Sequence, residues 1–240
     1  MLHHVNPENI LFIDIETVPN TYTYEELDEK TRELWDKKSN FMKREGDESA
    51  AELYEKAGIF SEFGKIICIS VGFLRITDDN NYCLRIKSFS GNEEKTLLNE
   101  FNELLNKNFN KDNHYLCGHN VKEFDIPYIC RRNLVNGLKL PYIIDIAGKK
   151  PWEVNHLDTL ELWKFGDRKN YTSLDLLTHI FDIPTPKEDI EGSEVSRVFW
   201  EENDLKKIVE YCERDVVAVT QLFLRYRGEE LVKDNNVQVV

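Results

Sequence analysis

The sequence predicts an α/β fold, a mixed sheet flanked by helices, on three observations. An apolar run opens the chain at 10–17, a hairpin pattern follows at 65–89, and amphipathic helical segments then alternate with short strand-like ones. A first strand followed by hairpin, helix, strand and helix fits one layered sheet carrying both parallel and antiparallel pairs.

The opening run is Ile10-Leu11-Phe12-Ile13-Asp14-Ile15-Glu16-Thr17, apolar except for two carboxylates set one residue apart. In an extended strand alternate side chains share a face about 6–7 Å apart, so Asp14 and Glu16 stand side by side with Ile15 turned the other way. Like charges in a poorly solvated place raise each other's pKa or require a cation between them. A solvated loop at the end of the strand accommodates the same two acids, and the rest of the chain decides between these readings.

Val18-Pro19-Asn20 ends the strand and opens a segment of different character, about residues 20–63. Thr23 and Glu26 have the capping-box spacing, and Leu27, Leu34 and Trp35 recur at helical intervals, which predicts a helix over 24–38. A second charged helix is expected over 47–56, closed by Gly58. The segment reads as a helical insertion beside the first strand, its charges forming a solvated face. Its place directly after the acidic pair also suits a lid or a substrate guide.

Strand character returns over 65–75 and 82–89, joined by the turn Asp78-Asp79-Asn80-Asn81. A helix over 93–106 carries Leu97, Leu98, Phe101, Leu104 and Leu105 on its apolar side. A short strand over 115–119 and a helix over 126–134 follow. Asp125 immediately precedes that helix, with Pro127 in its first turn, as a helix N-cap does. Such a placement also fixes a carboxylate beside the end of the sheet.

The last helix is expected over 201–226, with Ile208, Cys212, Val216, Val219, Leu222 and Phe223 as its inward stripe. Tyr211 and Asp215 fall on or beside that stripe one turn apart, whereas Glu213 and Arg214 point elsewhere. An aspartate in an apolar stripe needs a partner. A hydrogen bond from Tyr211, or a position at the border of the stripe, meets that need without a metal.

At 240 residues and 41% hydrophobic content the chain has enough material for a real core, read here as a single domain over 1–240. A formal charge of −13 argues against wrapping a duplex by phosphate neutralisation, so nucleic-acid binding would be local, weak or carried through bound metal ions. Five widely spaced cysteines without a Cys-x-x-Cys pair suggest small buried residues in a reducing compartment. With no leader-like N-terminus and no apolar run long enough for a membrane span, a cytoplasmic protein that does not engage a membrane is expected.

Taken together, Asp-x-Glu at Asp14 and Glu16, Asn-x-x-x-Phe-Asp at Asn120 to Asp125, and Tyr-x-x-x-Asp at Tyr211 to Asp215 resemble the three motifs of the DEDD superfamily of 3′→5′ exonucleases. Tyrosine in the third motif resembles the DEDDy branch. Within it the chain is similar to the bacterial family of predicted exonucleases related to the proofreading domain of family B DNA polymerases. Tyr171-Thr172-Ser173-Leu174-Asp175-Leu176 and Lys187-Glu188-Asp189-Ile190-Glu191-Gly192-Ser193-Glu194-Val195 resemble its connecting segments. The resemblance extends from about Ile10 to Phe223.

That resemblance implies a ribonuclease H-like (DnaQ-like) fold and two-metal phosphodiester hydrolysis, with ions about 3.5–4 Å apart. It implies Asp14, Glu16, Asp125 and Asp215 as ligands of two divalent ions, Mg²⁺ or Mn²⁺, which oxygen donors suit. By the same resemblance Asp14 is shared by both ions, Glu16 and Asp215 serve the ion that activates water, and Asp125 serves the leaving-group ion. Tyr211 orients the attacking water, since a phenol with a pKa near 10 stays protonated at neutral pH. Thr17 and Phe124 sit where the family packs the terminal nucleotide, and Asn120 where it fixes the loop.

His119 and Lys122 stand where either could approach a phosphate, but are read first as a satisfied loop histidine and a solvated lysine; Asp158 is read first as a turn or cap residue, with support of the metal ligands as the alternative. The implied substrate is a nucleic-acid 3′ end, single-stranded DNA in the leading reading. An exoribonuclease on the same fold and a catalytically silent interaction module are the alternatives. Because no polymerase domain follows residue 240, a polymerase or repair partner would act in trans.

Overall fold

The computed structural model describes residues 1–42, 48–77, 81–167, 171–184 and 190–240. Asp47, the Asp78-Asp79-Asn80 part of the expected turn and Lys187-Glu188-Asp189 lie outside them.

Strand β1 (Ile10–Pro19) is central. It pairs antiparallel with β2 (Gly64–Ile76), which pairs antiparallel with β3 (Tyr82–Ser90), as the hairpin pattern predicts. On its other side β1 pairs parallel with β4 (Tyr115–Gly118), and β4 with the short β5 (Leu157–Asp158). A strand not foreseen from the sequence, β6 (Val237–Val239), lies parallel to β3. The order is β5-β4-β1-β2-β3-β6, a six-stranded mixed sheet of the expected class.

The alternation along β1 divides the core. Leu11, Ile13 and Ile15 pack with α2 (Glu94–Asn108) and α3 (Asp125–Val135) on one face of the sheet. Ile10 and Phe12 pack on the other against Val216, Val219 and Phe223 of α7 (Leu205–Arg227). Asp14 and Glu16 continue the second set, so they face α7. The predicted stripe of α7 is buried at each of its six positions.

This helix begins later than its periodicity suggests. Asn203 adopts a left-handed conformation (φ 54°), and the Asp204 side chain accepts the Lys207 N–H as the true N-cap. The preceding Val198–Glu202 forms a π-helical turn after the single turn α6 (Val195–Arg197). Between β5 and α6 the chain forms two short helices, α4 (Thr159–Lys164) and α5 (Leu174–Ile180).

The insertion is less helical than expected. The Thr23/Glu26 capping box exists but closes only a 3-10 turn, Tyr24–Glu26, because Asp28 supplies a second cap that starts α1 (Glu29–Asn40). The second helix is a 3-10 helix, Glu52–Ile59, and Gly58 is not its left-handed cap. A side chain at Gly58 would approach the Val18 carbonyl carbon and the Pro19 ring to 3.2 Å, so close packing against β1 explains the glycine. Trp35 is fully buried at the centre of the insertion, among Leu53, Tyr54, Ala57 and Phe63. Among the described residues no helix is long and apolar enough to cross a membrane.

Candidate active site

Both acids of the opening run lie inside β1, which removes the solvated-loop alternative. Asp14 stands opposite Ser70 and Glu16 opposite Cys68, and the register then shifts between Glu16 and Thr17. Ile67 is the extra residue, and such a bulge re-aims the side chains around it. Glu16 is buried, while Asp14 keeps part of its surface open.

Asp125 is not the N-cap that sequence position suggested. It is the first residue of α3, Phe124 occupies the cap position, and no side-chain cap bond is made there. The Asp125 carboxylate instead lies by backbone N–H groups that lower its pKa, its own and that of Ile15, the residue between the two acids of β1. The start of α3 is thereby joined to β1 at the acidic pair. Asp215 is half-buried beside Val216 on α7, one turn after Tyr211. The Tyr211 hydroxyl reaches the loop before α6, where a side chain at Gly192 would lie 3.6 Å from it.

The four carboxylates act on one another. Burial, followed by the charges of Asp215, Glu16 and Asp125, holds the Asp14 carboxyl well above the usual carboxylate range. Burial and then Asp215 do the same to Glu16, with Cys68 and Asp125 adding to it. Asp125 is pushed up to about 7, first by burial and then by the charges of Asp158 and Asp215, against the lowering effect of its two backbone bonds. Mutual repulsion of carboxylates in a poorly solvated place is relieved by protons or by a cation.

One neutral group tempers this charge. The Cys212 thiol donates to Asp14 Oδ2 at 3.3 Å and to the Asp14 backbone carbonyl at 3.4 Å. Burial pushes that thiol well up, so it keeps its proton and acts as a donor. Ligand atoms of Asp14, Glu16 and Cys212 lie within 4.8 Å of one another. Four carboxylates offering hard oxygen donors fit Mg²⁺ or Mn²⁺. The expectation of buried cysteines holds for Cys68, Cys117 and Cys212, whereas Cys83 and Cys130 are partly exposed.

The loop before α3 is held by Asp158. This buried residue caps α4 by accepting the Leu160 and Glu161 N–H groups, as its cap reading predicts, and it also accepts the N–H groups of Asn120 and Lys122. Asn120 is left-handed there (φ 63°), and its carbonyl accepts the N–H groups of Glu123 and Phe124. An acid directly before Thr159-Leu160 signals the cap in the sequence, whereas the reach to the Asn120 loop leaves no local trace. His119 hydrogen-bonds the Thr159 hydroxyl through Nδ1 and donates to the Thr172 carbonyl through Nε2, the satisfied loop histidine that was expected. Lys122 is not simply solvated, since its Nζ lies 2.8 Å from Glu161 Oε2. The Thr17 hydroxyl donates to the Gly58 carbonyl at 2.9 Å, so it anchors the insertion, and Thr17 and Phe124 both line a cavity beside Glu16.

A family model describing predicted 3′-5′ exonucleases related to the exonuclease domain of PolB matches residues 59–235. The chain belongs to this family. The exonuclease-family match contains Asp125, Tyr211 and Asp215 and begins after β1, whose acids meet them through the packing of β1 against α3 and α7. No curated protein matches the chain. Among solved structures it is similar to the family B DNA polymerase from the hyperthermophilic archaeon Pyrobaculum calidifontis, with a TM-score of 0.51 and 16% identity. That match covers 90% of this chain and 24% of the polymerase, and at this identity it speaks for the fold alone.

Proposed function

We propose that this exonuclease-family chain is a metal-dependent, DEDDy-type 3′→5′ exonuclease that removes nucleotides from single-stranded DNA 3′ ends in the cytoplasm. The observation that carries the reading is the convergence of Asp14, Glu16, Asp125 and Asp215, drawn from β1, α3 and α7, into one partly buried and mutually repelling set. These four side chains would hold two ions, Mg²⁺ or Mn²⁺. When bound, such ions stabilise charge on the scissile phosphate and on the attacking and leaving oxygens.

The remaining work belongs to the chain itself. The Ile15 N–H orients Asp125, and the Cys212 thiol orients Asp14. Tyr211 aligns the attacking water by hydrogen bonding. Asp158 and Asn120 fix the loop that carries Phe124, which with Thr17 receives the terminal nucleotide. A polymerase or repair protein acting in trans is the partner this reading implies.

The test is hydrolysis of end-labelled DNA and RNA strands, with free and blocked 3′ ends, by wild type and Asp14→Ala in Mg²⁺ or Mn²⁺. Stepwise shortening of unblocked DNA by wild type alone is expected. Equal shortening by Asp14→Ala would remove the catalytic assignment, preference for RNA would replace the substrate, and internal cleavage of blocked strands would replace the polarity.

A further inference from the structure

Beside the carboxylates lies a cavity of about 420 Å³, within the roughly 300–1,000 Å³ that takes a small molecule. Glu16 lines it, so the cavity opens onto the acidic cluster. Phe124 contributes an aromatic surface from the start of α3, while Lys56 and Ile59 reach it from the insertion. Ile59 is 56% exposed at this opening, whereas Leu53, Tyr54 and Phe63 of the insertion are buried around Trp35. Single exposed aliphatics are ordinary on protein surfaces. What distinguishes Ile59 is that it shares a cavity with an aromatic ring and a carboxylate of the candidate site.

The backbone carrying Ile59 is fixed in place. The Gly58 carbonyl accepts two hydroxyls, Thr17 Oγ1 at 2.9 Å and Tyr128 Oη at 2.8 Å, one from β1 and one from α3. Gly58 itself packs against Val18 and Pro19. At the far end of the insertion the Asn20 N–H donates to the Phe63 carbonyl at 2.8 Å. These bonds make this part of the insertion a wall of the cavity.

We propose that Ile59 is a specificity residue: it packs against the base of the 3′-terminal nucleotide within the cavity that Phe124 also lines, and so selects an unpaired end. The inference rests on the proposed exonuclease reading and assigns the insertion a part in it. Packing on the face of a base tolerates any sequence, so the substrate class is a single-stranded 3′ end of any sequence.

The experiment compares wild type, Ile59→Ala, Ile59→Leu and, as a control on the exposed side of α1, Leu34→Ala. Each is assayed on an unblocked single strand and on bis(p-nitrophenyl) phosphate, which has no base. For Ile59→Ala the KM for the strand is expected to rise about tenfold with kcat within about twofold, and the ratio of kcat/KM on the two substrates to fall to match. Ile59→Leu should restore most of that ratio, and Leu34→Ala should leave it at the wild-type value. An unchanged ratio in Ile59→Ala, or an equal fall in Leu34→Ala, would overturn the proposal. Fluorescence anisotropy of a dye-labelled strand in EDTA reads the same contact without turnover. If wild type cleaves neither substrate the exonuclease reading fails, and equal anisotropy affinities of wild type and Ile59→Ala then overturn the Ile59 contact separately.

Discussion

The Cys212 thiol and the Asp14 carboxylate are hydrogen-bonded at 3.3 Å, which joins α7 to β1 at the centre of the acidic cluster. A protonated thiol is a weak neutral donor. It draws on the charge of Asp14 without placing a competing cation in the site. Cys212→Ala should therefore lower kcat several-fold with little change in KM, the effect of losing a bond worth about 1 kcal/mol. Cys212→Ser keeps a donor and should recover most of kcat. Steady-state assays on a labelled strand check this, and equal losses in both variants would assign Cys212 to packing alone.

Asp14 feels the charges of Asp215, Glu16 and Asp125 together, so its contributions to activity and stability should oppose each other. Asp14→Asn is expected to reduce activity by about 10³-fold or more, as loss of several kcal/mol of charge stabilisation requires. In EDTA the same variant should melt a few degrees above wild type, because one of four repelling carboxylates has gone. Melting below wild type in EDTA would contradict the repulsion.

The raised carboxyls set the pH dependence of the metal-free protein. Asp125 is pushed up to about 7 from 3.8, so between these values the folded chain holds a proton that the unfolded chain has lost. Stability from this group is present below about pH 4 and is lost as pH rises through 7. In EDTA the Tm should fall between pH 5 and pH 8. Mg²⁺ or Mn²⁺ should raise it, and more at pH 8 than at pH 6, because ligands must be deprotonated to bind. A Tm scan in pH and metal reads both trends, and no response to either ion would count against the cluster as a metal site.

His156 carries the opposite sign. It is buried with Nδ1 accepting the Leu116 N–H at 3.1 Å and Nε2 donating to the Ile143 carbonyl at 2.9 Å, and burial lowers its pKa to about 4 from 6.5. The unfolded chain binds the proton first as pH falls, so stability is lost from about pH 6.5 down to about 4. This acid limb should be indifferent to Mg²⁺ and should flatten in His156→Gln, as Tm measured between pH 4 and 7 will show.

What was legible in the sequence follows the range of the interaction that encodes it. Period-2 alternation placed Asp14 and Glu16 on one face of β1, and the 3.6-residue stripe of α7 placed Cys212, Asp215 and Val216 correctly, because each pattern is local. Helix ends went wrong where two caps competed, as Thr23 and Asp28 do, or where a left-handed residue such as Asn203 interrupted the pattern. Contacts across the fold left no local trace. Asp158 reaching the Asn120 loop is one case. Glu213 is another: read as pointing away, it accepts the Ser88 hydroxyl of β3 at 2.7 Å.

Glu94 and Arg132 extend that lesson to stability, since both are charged residues of helices and both are buried. Arg132 Nε lies 2.8 Å from Glu94 Oε1, and its terminal nitrogen 2.6 Å from Oε2. The remaining valences are filled: Glu94 also accepts the Ile66 N–H and the Asn136 amide, and Arg132 donates to the Ser61 carbonyl at 2.8 Å. The pair thus ties α2, α3, β2 and the end of the insertion at one point. Removing one partner leaves an uncompensated buried charge, so Arg132→Met or Glu94→Met should each cost about 3–5 kcal/mol and lower the Tm by roughly 10 °C. Replacing both with methionine should recover much of that loss, because the desolvation cost disappears with the charges. Thermal melts of the two single variants and the double variant decide the matter, and a double variant as unstable as the sum of the singles would show that the bonds to Ser61, Ile66 and Asn136 matter more than the ion pair itself.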